Sequence, residues 1–324
     1  MQLRDKYGRV IDYIRISITD KCSLRCIYCN PTATETPYDR EHVLTFEEIL
    51  RIVQAAAELG VKKIRLTGGE PLMRHALPEL VSEIKAINGI EDLSLTTNGL
   101  LLQTYAQRLA DAGLDRVNVS LDSLVATKYY EITGGGNLTK VLNGIQAARD
   151  TGLLPIKLNM VPIRNVNDNE IEQFARLTLF EDYHVRFIEL MPTAVTGTEY
   201  NEKLVSSSEI RQTLQQIAPL HPVKLRLNGP ARYYRFESAP GVIGIISAIT
   251  CQFCEDCNRM RLTAVGKLKP CLFSDRYIDL RQHLRTGATI EQIKELIRTA
   301  TALKPESHNI TPTDSTVAMS QIGG

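Results

Sequence analysis

From residue 10 to residue 190 the chain alternates between two hydrophobic rhythms. Runs with an apolar side chain at every second position, the period of a strand, cover 10–18, 62–67, 92–97, 115–121, 155–161 and 184–190. Between them, helical spacing of apolar residues marks 46–59, 76–88, 100–112, 138–150 and 167–180. Thr45-Phe-Glu-Glu48 has the form of a capping box ahead of the first helix, and Gly60 and Gly113 are placed to close two of them. Strands separated by helices predict right-handed βαβ units on a parallel sheet, most simply part of an eight-fold barrel. A doubly wound open sheet is the alternative.

The strands carry a second pattern. One face is repeatedly polar: Arg15, Ser17 and Thr19; Lys63, Arg65 and Thr67; Ser94, Thr96 and Asn98; Asn118, Ser120 and Asp122; Lys157 and Asn159. The other face is aliphatic, as in Ile14, Ile16 and Ile18 or Val117, Val119 and Leu121. Helices must cover the aliphatic face, so the polar face lines the lumen. An ordinary barrel lumen is packed with branched apolar side chains. This one is polar and cationic, and is read as a substrate cavity.

Past about residue 195 the alternation stops. A linker, 193–198, leads to a capped helix starting at Ser206, then to short strand-like runs at 222–227, 232–237 and 242–246 with Gly-Pro and Pro-Gly turns. We therefore expect a first domain over 1–205 and a smaller α+β domain over 206–324.

Composition narrows the possibilities. With 324 residues the chain can bury a large core, and a net charge of +1 argues against a general nucleic-acid or membrane-surface binder. No apolar run approaches 18 residues, and the first residues lack a signal-peptide core, so a cytoplasmic protein is expected. Seven cysteines, an odd number in two clusters, suit metal ligation better than a disulfide framework.

The first cluster, Cys22-Ser-Leu-Arg-Cys26-Ile-Tyr28-Cys29, follows the first strand directly. Thiolates at this spacing suit a soft, compact centre, of which an iron–sulfur cluster is the commonest. Three ligands on a four-iron cube leave one iron open; a zinc knuckle with a borrowed fourth ligand is the alternative. The second group is Cys251-Gln-Phe-Cys254-Glu-Asp-Cys257, with Cys271 returned toward it by a hairpin over Arg261–Pro270. A zinc ribbon is the competing reading there. Gly68-Gly69-Glu70-Pro71 after the second strand places a carboxylate behind a glycine pair, where it can receive an ammonium group.

These motifs carry a family resemblance. The C-x3-C-x2-C loop resembles the signature of radical S-adenosylmethionine (SAM) enzymes. Arg15-Ile-Ser-Ile-Thr-Asp-Lys-Cys-Ser-Leu-Arg-Cys-Ile-Tyr-Cys29, Ile64-Arg-Leu-Thr-Gly-Gly-Glu-Pro-Leu72, Thr96-Thr-Asn-Gly99, Arg186-Phe-Ile-Glu-Leu-Met191, Phe253-Cys-x-x-Cys-Asn-Arg-x-Arg-Leu-Thr263 and the terminal Gly323-Gly324 resemble the GTP 3′,8-cyclase family of molybdenum cofactor biosynthesis. The resemblance implies an incomplete (β/α)6 TIM-type barrel with two [4Fe–4S] clusters, the second carried by the C-terminal domain. It implies cleavage of SAM at the first cluster and binding of the guanine of GTP at the second. The resulting 5′-deoxyadenosyl radical would take the ribose 3′ hydrogen, the C3′ radical would attack C8, and reduction of the resulting radical by one electron with uptake of a proton would give (8S)-3′,8-cyclo-7,8-dihydroguanosine 5′-triphosphate.

Carried over residue by residue, Cys22, Cys26 and Cys29 ligate the first cluster, and Cys254, Cys257 and Cys271 the second. The first three, with Arg259 and Arg261, form the expected catalytic set. Tyr28, Gly69, Glu70, Asn98, Ser120 and Met191 are expected on SAM. Arg15, Lys63, Arg65, Thr96, Lys157, Arg186, Arg259 and Arg261 are expected on GTP. The family's proline-rich stretch is here Ala248-Ile-Thr-Cys251, so Cys251 departs from the pattern. The tail ending in Gly323-Gly324 is expected to enter the lumen. Expected partners are an electron donor, a downstream cyclic pyranopterin monophosphate synthase and a second copy in a homodimer, with no nucleic acid or membrane. Another radical SAM enzyme with an auxiliary cluster, such as a peptide-modifying maturase, and a zinc-binding module without catalysis are the other readings.

Overall fold

The computed structural model describes residues 2–30, 37–192, 197–225, 229–308 and 319–322. The first six strands are β1 (Tyr13–Ser17), β2 (Lys63–Thr67), β3 (Asp92–Thr97), β4 (Arg116–Ser120), β5 (Lys157–Met160) and β6 (His184–Ile188). All pair in parallel, and their order in the sheet is their order in the chain. A doubly wound sheet would reverse direction at a switch point. Uninterrupted succession is the barrel arrangement. The intervening helices are α1 (Phe46–Glu58), α2 (Leu77–Lys85), α3 (Leu102–Asp111), α4 (Ala126–Thr133), α5 (Leu138–Asp150) and α6 (Ile171–Phe180). Helix α1 opens with the expected capping box: Glu48 N–H donates to Thr45 Oγ1, and Thr45 N–H to the Glu48 carboxylate at 2.8 Å.

Strand parity decides which face is dry. Ile14, Ile16, Ile64, Leu66, Leu93, Leu95, Val117 and Val119 are almost completely buried, within one aliphatic core that also takes in α1, α2 and α3. The opposite parity faces the cavity described below. Helix α4 escaped the sequence reading because Ala-Thr-Lys-Tyr-Tyr-Glu-Ile-Thr has little helical periodicity. Its end supports the first cysteine loop: Arg25 N–H donates to Thr133 O at 2.9 Å and Ile27 N–H to Ile132 O at 3.0 Å.

The C-terminal part begins with α7 (Gly197–Lys203), α8 (Ser207–Gln215) and β7 (Leu220–Val223). It continues with β8 (Arg232–Phe236), β9 (Val242–Ile246), β10 (Arg259–Leu262), β11 (Lys267–Lys269), β12 (Ile278–Asp279), α9 (Leu280–Arg285) and α10 (Ile290–Ala302). These strands extend the same sheet at both edges: β9 pairs in parallel with β6, and β10 in parallel with β1. Strands β10 and β11 form the expected hairpin. Helix α10 packs on α1, helped by a 3.1 Å ion pair between Lys294 and Glu58. A last short helix, α11 (Met319–Ile322), brings Met319 to the cavity and buries Ile322, while Gly323-Gly324 lie outside the described residues.

Candidate active site

The open ends of the strands surround a cavity of about 560 Å³. Register explains its charge. Arg261 on β10 is opposite Arg15 on β1, Arg15 opposite Arg65 on β2, Arg65 opposite Ser94 on β3, and Ser94 opposite Arg116 on β4. Four arginines therefore share one level of the sheet, all lining the cavity. A further level carries Asn118, Lys157 and His184. Gly244 on β9 leaves room for Arg186, since an added Cβ would lie 3.0 Å from Arg186 Cγ.

Arg116 is neutralised by a buried pair with Asp92, Nη2 to Oδ2 at 2.7 Å. Arg65, Lys157, Arg186 and Arg259 enter none of the ion pairs among the described residues. For Lys157 and Arg186 burial is the main cost of the charge, and neighbouring cations add to it. Burial and then Arg186, Arg116 and Arg65 push Lys157 down to about 5, while burial and then Arg259 bring Arg261 to about 10. Arg186, at about 10, is lowered mainly by burial and donates to Asn118 Oδ1 at 2.6 Å. Burial alone would raise the Tyr13 phenol, but Arg65, Arg15, Arg259 and Arg116 outweigh it and the net shift is downward.

Several buried polar atoms on the cavity wall have no partner among the described residues: Tyr13 Oη, Thr96 Oγ1, Asn159 Oδ1 and Arg186 Nε. Buried polar groups rarely stay unpaired. A lumen with unclaimed donors and surplus positive charge is built for a polar, anionic ligand.

Cys22, Cys26 and Cys29 follow β1 in the chain and line the cavity, as do Cys254, Cys257 and Cys271. Leu24 N–H donates to Cys22 Sγ at 3.4 Å, the kind of outer contact that orients a ligand sulfur. Tyr28 Oη donates to Asp122 Oδ2 at 2.6 Å, and Asp122 Oδ1 accepts from Val161 N–H at 2.9 Å. Burial pushes Asp122 up to about 6 against those two bonds. The Cys26 thiol is pushed well up by burial and then by Asp122. Cys257 differs: burial acts upward, but Arg259 and Lys304 bring it down to about 7. In neither triplet do all three sulfurs approach within 4.8 Å of one another. Tetrahedral zinc, with bonds of about 2.3 Å, would gather its sulfurs to about 3.8 Å.

Every residue expected on a cluster, on SAM or on GTP lines this cavity except two. Lys63 shares a face with Arg65 but stands at the start of β2, where its ammonium pairs with Asp12 at 3.3 Å. Glu70 is 1 % exposed and turned into the chain: its carboxylate accepts from Thr97 Oγ1 at 2.8 Å, Leu72 N–H at 3.0 Å and Asn98 N–H at 2.6 Å. Lys63 thus stands off the cavity wall beside Asp12, and the Glu70 carboxylate fixes the rim segment that carries Asn98. The glycine pair has a similar explanation. A Cβ on Gly69 would sit 2.4 Å from Lys21 O, and Gly69 N–H donates to Thr19 O at 2.7 Å. The pair lets the second loop press against the backbone that leads into Cys22.

The sequence reading missed Tyr13, Arg116 and Lys304, which also line the cavity. Tyr13 and Arg116 share parity with Arg15 and Asn118 and could have been found by it. Glu189, buried and on the cavity wall, holds the segment before Cys251 by accepting from Ser207 N–H at 2.8 Å and from Ile249 and Thr250 N–H at 3.0 Å each.

The cysteine loop at the mouth of a six-strand parallel succession defines the class. The Radical SAM superfamily model matches residues 16–178, and the Molybdenum Cofactor Synthesis C model matches residues 183–310. Among solved structures, the chain is similar to Streptococcus suis SuiB bound to S-adenosylmethionine (TM-score 0.61, 14 % identity, 95 % of this chain and 79 % of that one). It is also similar to anSMEcpe with bound AdoMet and Kp18Cys peptide (TM-score 0.61, 16 % identity, 91 % and 83 %). At such identity these likenesses show the fold. The chain is a radical SAM protein, a class that binds a [4Fe–4S] cluster and SAM.

Full-length similarity narrows this. The chain is 48 % identical to a GTP 3′,8-cyclase of Pelotomaculum thermopropionicum over 99 % of its length and 100 % of the relative. It is 46 % identical to that of Alkaliphilus oremlandii and 45 % to that of Petrotoga mobilis, with coverage of 99 % or more throughout. The chain belongs to the GTP 3′,8-cyclase family. Among the described residues, no helix is long and apolar enough to cross a membrane.

Proposed function

We propose that this chain converts GTP into (8S)-3′,8-cyclo-7,8-dihydroguanosine 5′-triphosphate, the first step of molybdenum cofactor biosynthesis. Cys22, Cys26 and Cys29 hold the cluster that binds SAM, and Cys254, Cys257 and Cys271 hold a second [4Fe–4S] cluster facing the guanine. When bound, the first cluster supplies the electron for reductive cleavage of SAM.

The chain's residues do the rest by placement. Asn98, Ser120 and Met191, with Tyr28 anchored by Asp122, form the SAM end of the cavity. Arg15, Arg65, Lys157, Arg186, Arg259 and Arg261 surround a triphosphate of about four negative charges and fix the ribose between the clusters. The carrying observation is a cavity that reaches both cysteine triplets and is lined by Arg65, Arg186 and Arg259, which enter none of the ion pairs among the described residues. A peptide-modifying maturase would need a groove for an extended chain, and buried, crowded cations fit a nucleotide better. An electron donor, the downstream cyclic pyranopterin monophosphate synthase and a second copy of this chain complete the proposed partners.

Incubating the anaerobically reconstituted protein with GTP, SAM and dithionite tests this by mass spectrometry. A product isomeric with GTP, formed together with 5′-deoxyadenosine, is expected. 5′-Deoxyadenosine formed with GTP untouched would overturn the assignment.

A further inference from the structure

Lys304, two residues after α10, is 2 % exposed. Its ammonium donates to Arg259 O at 2.8 Å, to Pro270 O at 2.8 Å and to Cys257 Sγ at 3.4 Å. An ammonium has three N–H donors, and all three are engaged. The acceptors are a ligand sulfur, the carbonyl two residues beyond it, and the carbonyl just before Cys271. One side chain thus joins the two segments that carry Cys257 and Cys271.

The third ligand is tied to the same stretch by another cation. Arg9 donates to Cys254 O at 2.7 Å and to the carbonyls of Pro305 and Glu306 at 2.5 and 2.9 Å. Arg9 is neutralised by Asp5 at 2.5 Å. Lys304 takes part in none of the ion pairs among the described residues. A buried ammonium without a carboxylate is costly unless another anion faces it. The group in reach that becomes an anion on ligating a cluster is the sulfur of Cys257.

We propose that Lys304 is a positioning residue of the second cluster, which clamps the Cys257 and Cys271 segments and holds the cluster's reduction potential up through its charged N–H···S contact. This rests on the assignment of that cluster to Cys254, Cys257 and Cys271. Reduction brings one electron, supplied by dithionite in a titration, next to a fixed positive charge. Hydrogen bonds to ligand sulfurs and local net charge are the protein's means of setting such potentials.

The test compares wild type, Lys304→Gln and Lys304→Arg holoenzyme by iron content and by redox titration followed through the paramagnetic signal of the second cluster. Wild type should carry about eight irons, and a count near four would remove the second-cluster reading itself. The inference predicts that Lys304→Gln shifts the second cluster's midpoint to lower potential and leaves the first cluster's unchanged. Lys304→Arg, which keeps the charge, should stay near wild type. An unchanged midpoint in Lys304→Gln would overturn the inference, as would an equal lowering in Lys304→Arg. If Lys304→Gln sheds four irons, retention of all eight by Lys304→Arg supports the charged clamp. Loss from both contradicts it.

Discussion

Alanine at Gly69 tests how the cluster loop is held. An added Cβ would lie 2.4 Å from Lys21 O, 2.5 Å from Asp20 O and 2.6 Å from Lys21 C, all backbone atoms that no rotamer change can move. Ordinary contact begins near 3.4 Å, so the two loops must part by about 1 Å. Two bonds oppose that movement, Gly69 N–H to Thr19 O and Glu70 N–H to Lys21 O, both 2.7 Å. Opened by that much, both would exceed hydrogen-bond reach, at about 0.5–1.5 kcal/mol each. Overpacking strain adds about 1–3 kcal/mol. We expect Gly69→Ala to lose about 2–6 kcal/mol in urea unfolding. Because Lys21 adjoins Cys22, iron at the first cluster should fall as well. Gly287 is the control: its φ is +87° with nothing near a built Cβ, so alanine should cost about 1 kcal/mol and leave iron unchanged. Wild-type stability and iron in Gly69→Ala would refute the close-packing argument.

Four further outcomes follow from the site. Arg186→Met should weaken GTP binding ten-fold or more by calorimetry, at about 1.5–3 kcal/mol for a charge-assisted contact, with SAM affinity kept. Lys157 sits near 5 against 10.5 unfolded, so its charge is disfavoured and its contribution to stability falls as pH drops from about 10.5 toward 5. GTP binding at pH 7 should restore that charge and take up close to one proton, read from calorimetry in buffers of different ionisation heat; no uptake would count against Lys157 contacting the triphosphate. Arg116→Leu leaves Asp92 buried and alone, so chemical unfolding should register a loss of about 3–5 kcal/mol. Cys251 does not line the cavity, and Cys251→Ala should keep about eight irons where Cys254→Ala falls to about four.

Much of the site was legible because strand parity is a strict period. Arg15, Arg65, Thr96 and Lys157 were placed inside by counting in twos, and all four line the cavity. Parity gives the face and not the depth. Lys63 has the right face but stands one pleat too low, where Asp12 takes it. Motif reading has a similar limit at Glu70: it names the residue but not the three donors of the chain that its carboxylate accepts from. The return of the C-terminal strands to both edges of the sheet had no local signal, since β10 and β1 meet only in the fold. Lys304 had none either: a lysine after a helix reads as surface, and only the convergence of two carbonyls and a sulfur buries it.

The central claim is that one cavity holds SAM at one cysteine triplet and GTP at the other, with the ribose between them. GTP carrying deuterium only at C3′ addresses it directly. Anaerobic turnover with SAM and dithionite should give 5′-deoxyadenosine one mass unit heavier, in step with a cyclised triphosphate that has lost the label. Unlabelled 5′-deoxyadenosine accompanying that product, or labelled GTP recovered whole while SAM is consumed, would contradict the account.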